Sequence, residues 1–237
     1  MKQKAFRTIA LVSFAFVLLL AAPWHSHAQD AKAPYPTMAP LDQYLMDRNA
    51  EIALARSAAP EAISQDAEVI VLGRHGYETA VKGKNGFACI VERSWASETD
   101  DPQFWNPRMR APICFNAAAS RSVLPITIKK TEWVLAGRSK AQVAEALKAA
   151  FEKRELGTME SGAMCYMMSK QGYLNDSAGH WLPHLMFFLP LTDGTTWGAD
   201  LPGSPVITLK NTEERLTVFL VPVWKWSDGT PADMDGH

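Results

Sequence analysis

Three groups of residues in this sequence have the types and spacing for chemistry. Arg74-His75 closes the apolar run Val69-Ile70-Val71-Leu72. Imidazole is nucleophilic near neutral pH, and a guanidinium holds phosphate through paired N–H donors. His75 as nucleophile with Arg74 as phosphate ligand would therefore transfer a phosphoryl group, whereas in the plain alternative His75 is a polar residue at the base of a hairpin. The second group is Cys165, Met167, His184 and Met186. If both segments are strands, Cys165 shares a face with Met167 and His184 with Met186. Thiol, thioether and imidazole together suit monovalent copper, and Pro183 rules out a helical i, i+4 zinc pair between His180 and His184. The alternative is an apolar strand that uses methionine to fill irregular gaps. Third, Trp95, Trp105, Trp181 and Trp197, with His180 beside Trp181, stand in loop-like surroundings where an indole can stack on a flat ligand. Trp224 and Trp226 share a strand face with Val218 and Leu220 and are expected in the core.

Two resemblances attach to these residues. A strand ending in Arg74-His75-Gly76 resembles the histidine phosphatases, which implies His75 as the phosphoryl acceptor. That family continues with a loop and a helix, whereas here a strand begins at Tyr77. Met164-Cys165-Tyr166-Met167-Met168-Ser169 and Gly172-Tyr173-Leu174-Asn175-Asp176, running into Gly179-His180-Trp181 and Pro183-His184-Leu185-Met186-Phe187, resemble a family of exported bacterial proteins of undescribed function. The likeness extends over about residues 59–190 and transfers no activity; the cofactor is left open. Gly-x-Ser-x-Gly, phosphate-loop, His-Glu-x-x-His and Cys-x-x-Cys signatures do not occur.

The chain has 237 residues, 47% of them hydrophobic, with 24 Lys plus Arg against 25 Asp plus Glu. Such a balance excludes a disordered tail, a collagen-like repeat and a basic nucleic-acid-binding domain. Lys2, Lys4 and Arg7 precede the apolar run Ile9 to Ala22, and Ser26-His27-Ala28 offers small residues for cleavage after Ala28. This is the pattern of a signal peptide over residues 1–28, which places the protein in the periplasm or outside the cell. Its removal takes three basic residues and no acid, leaving a net charge of about −4 and no stable membrane anchor. A mildly acidic surface also argues against nucleic acid as partner; a small molecule suits it. Oligomeric state is left open.

An oxidising compartment permits a disulfide. Of the three cysteines, Cys89 and Cys114 enclose the shortest, turn-rich segment and are the expected pair, worth about 3.5 kcal/mol by loop closure.

The elements that must position these groups follow from periodicity. Residues 29–40 are proline-rich and read as an extended, mobile leader, ahead of one domain over 41–237. Leu41, Leu45, Ile52 and Ala55 recur at helical spacing over 42–57. Asn85-Gly86 suits a two-residue turn joining Tyr77–Val81 to Phe87–Arg93, which would set Val81 opposite Ile90 and Glu78 opposite Arg93. Residues 94–112 form a long polar and aromatic loop. Pro125–Ala136 reads as a helix, with a strand through Ile126 and Ile128 as its rival. Ser139 and Gln142 form a capping box for a helix over 140–155. Short apolar runs at 163–169, 183–189, 206–209 and 215–226 read as strands. The expected fold is α+β, an antiparallel sheet with two to three helices packed on one side. The expected role is ligand binding or an accessory function around the Arg74-His75 turn and the loops 95–105 and 179–184, with a His75 phosphohydrolase and a copper-binding protein as alternatives.

Overall fold

The computed structural model describes residues 34–177, 179 and 181–233. The signal-peptide reading of residues 1–28, the first part of the leader and His180 fall outside the described residues.

In chain order the elements are α1 (Arg48–Arg56), α2 (Glu61–Ser64), β1 (Glu68–Gly73), β2 (Gly76–Val81), β3 (Ala88–Glu92), β4 (Ala111–Phe115), α3 (Ala117–Ser122), α4 (Leu124–Leu135), α5 (Lys140–Glu152), β5 (Met164–Met167), β6 (His184–Pro190), β7 (Ile207–Asn211) and β8 (Leu216–Pro222). The eight strands form one sheet in the order β2-β1-β3-β4-β5-β6-β8-β7, and every neighbouring pair except β1–β3 is antiparallel. The fold is α+β. Helices α3, α4 and α5 supply the expected layer on one side, and α1 adds a layer on the other.

Each helix boundary has a local cause. The Asp47 side chain caps α1 by accepting from the N–H groups of Asn49 and Ala50, so this helix starts later than its apolar spacing suggested. Pro125 lies in the first turn of α4, where its missing N–H costs nothing, and the rival strand reading fails. The capping box of Ser139 and Gln142 starts α5 as expected.

The expected hairpin at Asn85-Gly86 does not form. Gly73 pairs with Gly76, so Arg74-His75 is itself the two-residue turn, and β2 pairs with β1 instead of β3. The chain after β2 crosses the start of β1 at Gly83, where an added Cβ would lie 2.2 Å from the Glu68 amide nitrogen. From there Phe87 O accepts from Glu68 N–H at 2.8 Å, and β3 joins the free edge of β1 in parallel. Turn propensity at Asn85-Gly86 thus lost to a close backbone crossing that only Gly83 permits. The charge pairing changes with it: Arg48 takes Glu78, and Arg93 takes Glu51 at 2.9 Å, with both Arg93 and Glu51 essentially inaccessible to solvent.

Alternation along the strands separates two cores. Ile70, Ile90, Ile113 and Phe115 face Ala119, Ile126, Leu147 and Phe151 of α3–α5. Val69, Val71, Cys89, Val91 and Cys114 face Leu54 and Ala55 of α1. Cys89 and Cys114 stand directly opposite in the β3–β4 pairing, with Cα atoms 4.0 Å apart and the sulfurs at disulfide distance, as the spacing suggested. A third cluster contradicts the reading of Trp95 and Trp105 as exposed ligand platforms. Both are buried with Tyr44, Phe104, Val134 and Val143, and the Trp95 indole N–H donates to Thr131 Oγ1 at 2.9 Å. The described part of the leader, residues 34–40, bends at Pro34 and Thr37 and is not loose, since Tyr35, Met38 and Ala39 pack on this cluster. Trp224, expected in the core, is 73% exposed because β8 ends at Pro222.

Candidate binding cavity

The α3–α5 face of the sheet is covered by helices over its β1–β5 part. Toward β7 it lies open, and Ile207 and Leu209 there are 44% and 54% exposed. At the boundary lies a cavity of about 690 Å³, within the range of small-molecule sites. The pleat places its floor. Met167 of β5 stands opposite His184 of β6, which stands opposite Pro222 of β8; one pleat along, Met186 stands opposite Leu220, which faces Ile207 of β7. Glu92, the last residue of β3, closes the floor at the helix side and points the same way as Ile90.

Two loops make the walls. The first, Ser94–Ala96 with Ser97, is held by the polar face of α4. Lys130 Nζ, fully buried, donates to Ala96 O at 3.0 Å, to Ser97 O at 2.7 Å and to Glu214 Oε1 at 2.7 Å. One turn earlier on the same helix, Thr127 Oγ1 donates to Glu92 Oε1 at 2.9 Å. The second wall carries Leu174, Ser177 and Trp181. Its backbone is tied to Arg110 by two 2.9 Å hydrogen bonds with Tyr173, and Asp176 accepts from Tyr35, Tyr173, Asn106 and Arg108. These donors hold the Asp176 carboxyl well below the usual carboxylate range.

The polar groups at this cavity are few and perturbed. Burial pushes the Glu92 carboxyl up to about 7, opposed by the Thr127 hydrogen bond and by Lys130. No protein donor binds Glu92 Oε2 among the described residues. Burial lowers the His184 pKa, so the ring is neutral. Its Nδ1 lies 2.7 Å from Leu182 O, and because a carbonyl only accepts, the ring proton sits on Nδ1 and leaves Nε2 as an acceptor. Trp181 is 7% exposed and packs so closely on Gly172 that a Cβ there would lie 2.6 Å from the indole. Its ring stands T-shaped to His184, and its buried N–H has no partner among the described residues.

Of the residues singled out from sequence, His184, Met167, Met186 and Trp181 line this one cavity. Cys165 shares their sheet face but is wholly buried, and burial raises its thiol far above the usual range. Trp197 lies elsewhere, stacked on Phe219 with ring centroids 4.6 Å apart. Arg74 and His75 form an exposed turn at the far side of the sheet, and Arg74 is engaged by Asp42 at 2.6 Å. His75 and His184 therefore do not share a cleft. Glu92, Thr127 and Lys130 were not singled out; a buried polar stripe at i, i+3 on α4 was the available signal.

Comparisons with protein-family models, curated proteins and solved structures find no match.

Proposed function

We propose that this is an exported binding protein for a small apolar molecule that carries a hydrogen-bond-donating head group. The reading rests above all on Glu92, whose Oε2 lacks a protein donor at the floor of an otherwise apolar cavity of about 690 Å³. Glu92 is only partly buried and lines the cavity, so a ligand amine, amide or hydroxyl could donate to its free carboxylate oxygen in place of water. The apolar body would lie along Met109, Trp181 and Leu220, which line the cavity. Export is supported by the signal-like run ending at Ala28 and by the Cys89–Cys114 pair, since disulfides persist in oxidising compartments. Among the described residues no helix is long and apolar enough to cross a membrane.

Calorimetric titration with dodecylamine and with dodecanoate, both below their aggregation concentrations, tests this. The amine is expected to bind at one per chain, to lose affinity in Glu92→Gln and to be excluded by Ala96→Phe, which fills the wall. Equal binding of the carboxylate, or amine binding that ignores both substitutions, would overturn the reading.

A further inference from the structure

At the other end of the floor the cavity presents a different chemistry. Glu92 and His184 are three strands apart, about 14 Å at ordinary strand spacing, so His184 serves a separate subsite. Met167 stands directly opposite His184, and Met186 follows two residues along β6 on the same face. Opposed residues of an antiparallel pair have Cβ atoms about 5 Å apart, and same-face neighbours along a strand are about 7 Å apart. Two thioethers and one imidazole are thus within reach of a single ion.

A second observation points to a ligand. His184 is 6% exposed and lines the cavity, yet among the described residues its Nε2 accepts from no protein group while Nδ1 is committed to Leu182 O. A histidine that ligates metal commonly fixes its tautomer through such a bond from the other ring nitrogen to a backbone carbonyl. The geometry points to a site for a soft monovalent cation, Cu(I) or Ag(I), ligated by His184 Nε2, Met167 Sδ and Met186 Sδ. All three donors are neutral and two are thioethers, a set that favours a soft monovalent ion over zinc or harder divalent ions. Among the described residues no group of three His, Cys, Asp or Glu side chains is placed to hold a metal. Cys165 drops out of the expected ligand set because its thiol is sealed beneath the floor. Trp181 packs beside the subsite, with its ring centroid 6.0 Å from that of His184. The ion binds as it arrives, with no change of oxidation state and no proton released.

This inference uses the same cavity as the binding function but does not need it. The test is an anaerobic titration of the purified protein with Cu(I) in competition with bathocuproine disulfonate, followed by X-ray absorption of the loaded protein. One Cu(I) per chain is expected, with a sulfur and nitrogen shell, and Met167→Leu/Met186→Leu should weaken binding at least a hundredfold. Methionine to leucine keeps apolar volume, so this variant should retain its circular dichroism and its cooperative urea unfolding. Failure to compete with the chelator, undiminished Cu(I) binding by the double variant, or a shell without sulfur would overturn the site. Dodecylamine binding by the unsubstituted protein decides the other reading separately.

Discussion

The Thr127 hydroxyl donates to Glu92 Oε1 at 2.9 Å, while Glu92 Oε2 has no protein donor among the described residues of the cavity it helps to line. One helix residue thereby orients a carboxyl whose ionisation the site resists. Burial raises this group from an ordinary 4.5 to about 7. Because the folded value is the higher one, the folded chain binds more protons between those pH values, and stability falls as pH rises through that window. Glu92→Gln should be neutral near pH 4 and stabilise by up to roughly 3 kcal/mol at pH 8, read from urea denaturation at both pH values. A pH-independent effect would show that Glu92 is not destabilised by charge.

Glu51 has the opposite relation to its surroundings. It is 1% exposed, accepts from Leu72 N–H at 3.0 Å and pairs with Arg93, which also donates to Tyr44 O and Val91 O. Glu51→Ala strands a buried guanidinium and should cost about 3–5 kcal/mol, measured by chemical denaturation. A loss below about 1 kcal/mol would mean that water reaches Arg93.

What could be read in the sequence and what could not divides along the distance over which the cause acts. The capping box at Ser139 and Gln142 and the proline at the start of α4 act within one helical turn, and both helices form where expected. Alternation within two apolar runs predicted that Cys165 shares a face with Met167 and His184 with Met186; that the two faces are one follows only from the β5–β6 pairing. The Asn85-Gly86 hairpin was equally local, yet the crossing at Gly83 decided the pairing, and that depends on Glu68, fifteen positions earlier. Trp95 and Trp105 sit in a segment that looks like a surface loop, and their burial comes from α4 and α5 further along the chain. Glu92 read as an ordinary strand residue until Thr127, at a sequence separation of 35, gave it a partner.

Gly172 links packing to the cavity. A methyl group at this position would meet the Trp181 ring at 2.6 Å, and the indole would have to shift. Gly172→Ala should reduce dodecylamine affinity on the order of tenfold and cost about 1–3 kcal/mol of stability. Unchanged calorimetric affinity would show that Trp181 does not shape the site.

Thiol chemistry separates the cysteines. The unreduced protein should show no reactive thiol when folded and one when denatured, since Cys165 is wholly buried and Cys89 is at disulfide distance from Cys114. Reduction should lower stability by about 3.5 kcal/mol. Three thiols on denaturation without reductant would contradict the bridge.

The most direct measurement is diffraction from crystals of the protein grown with dodecylamine. The account predicts density for one alkyl chain across Met109, Trp181 and Leu220, with its nitrogen about 3 Å from Glu92 Oε2. An empty cavity, or a chain bound only on an exposed surface such as that around Trp224, would contradict it.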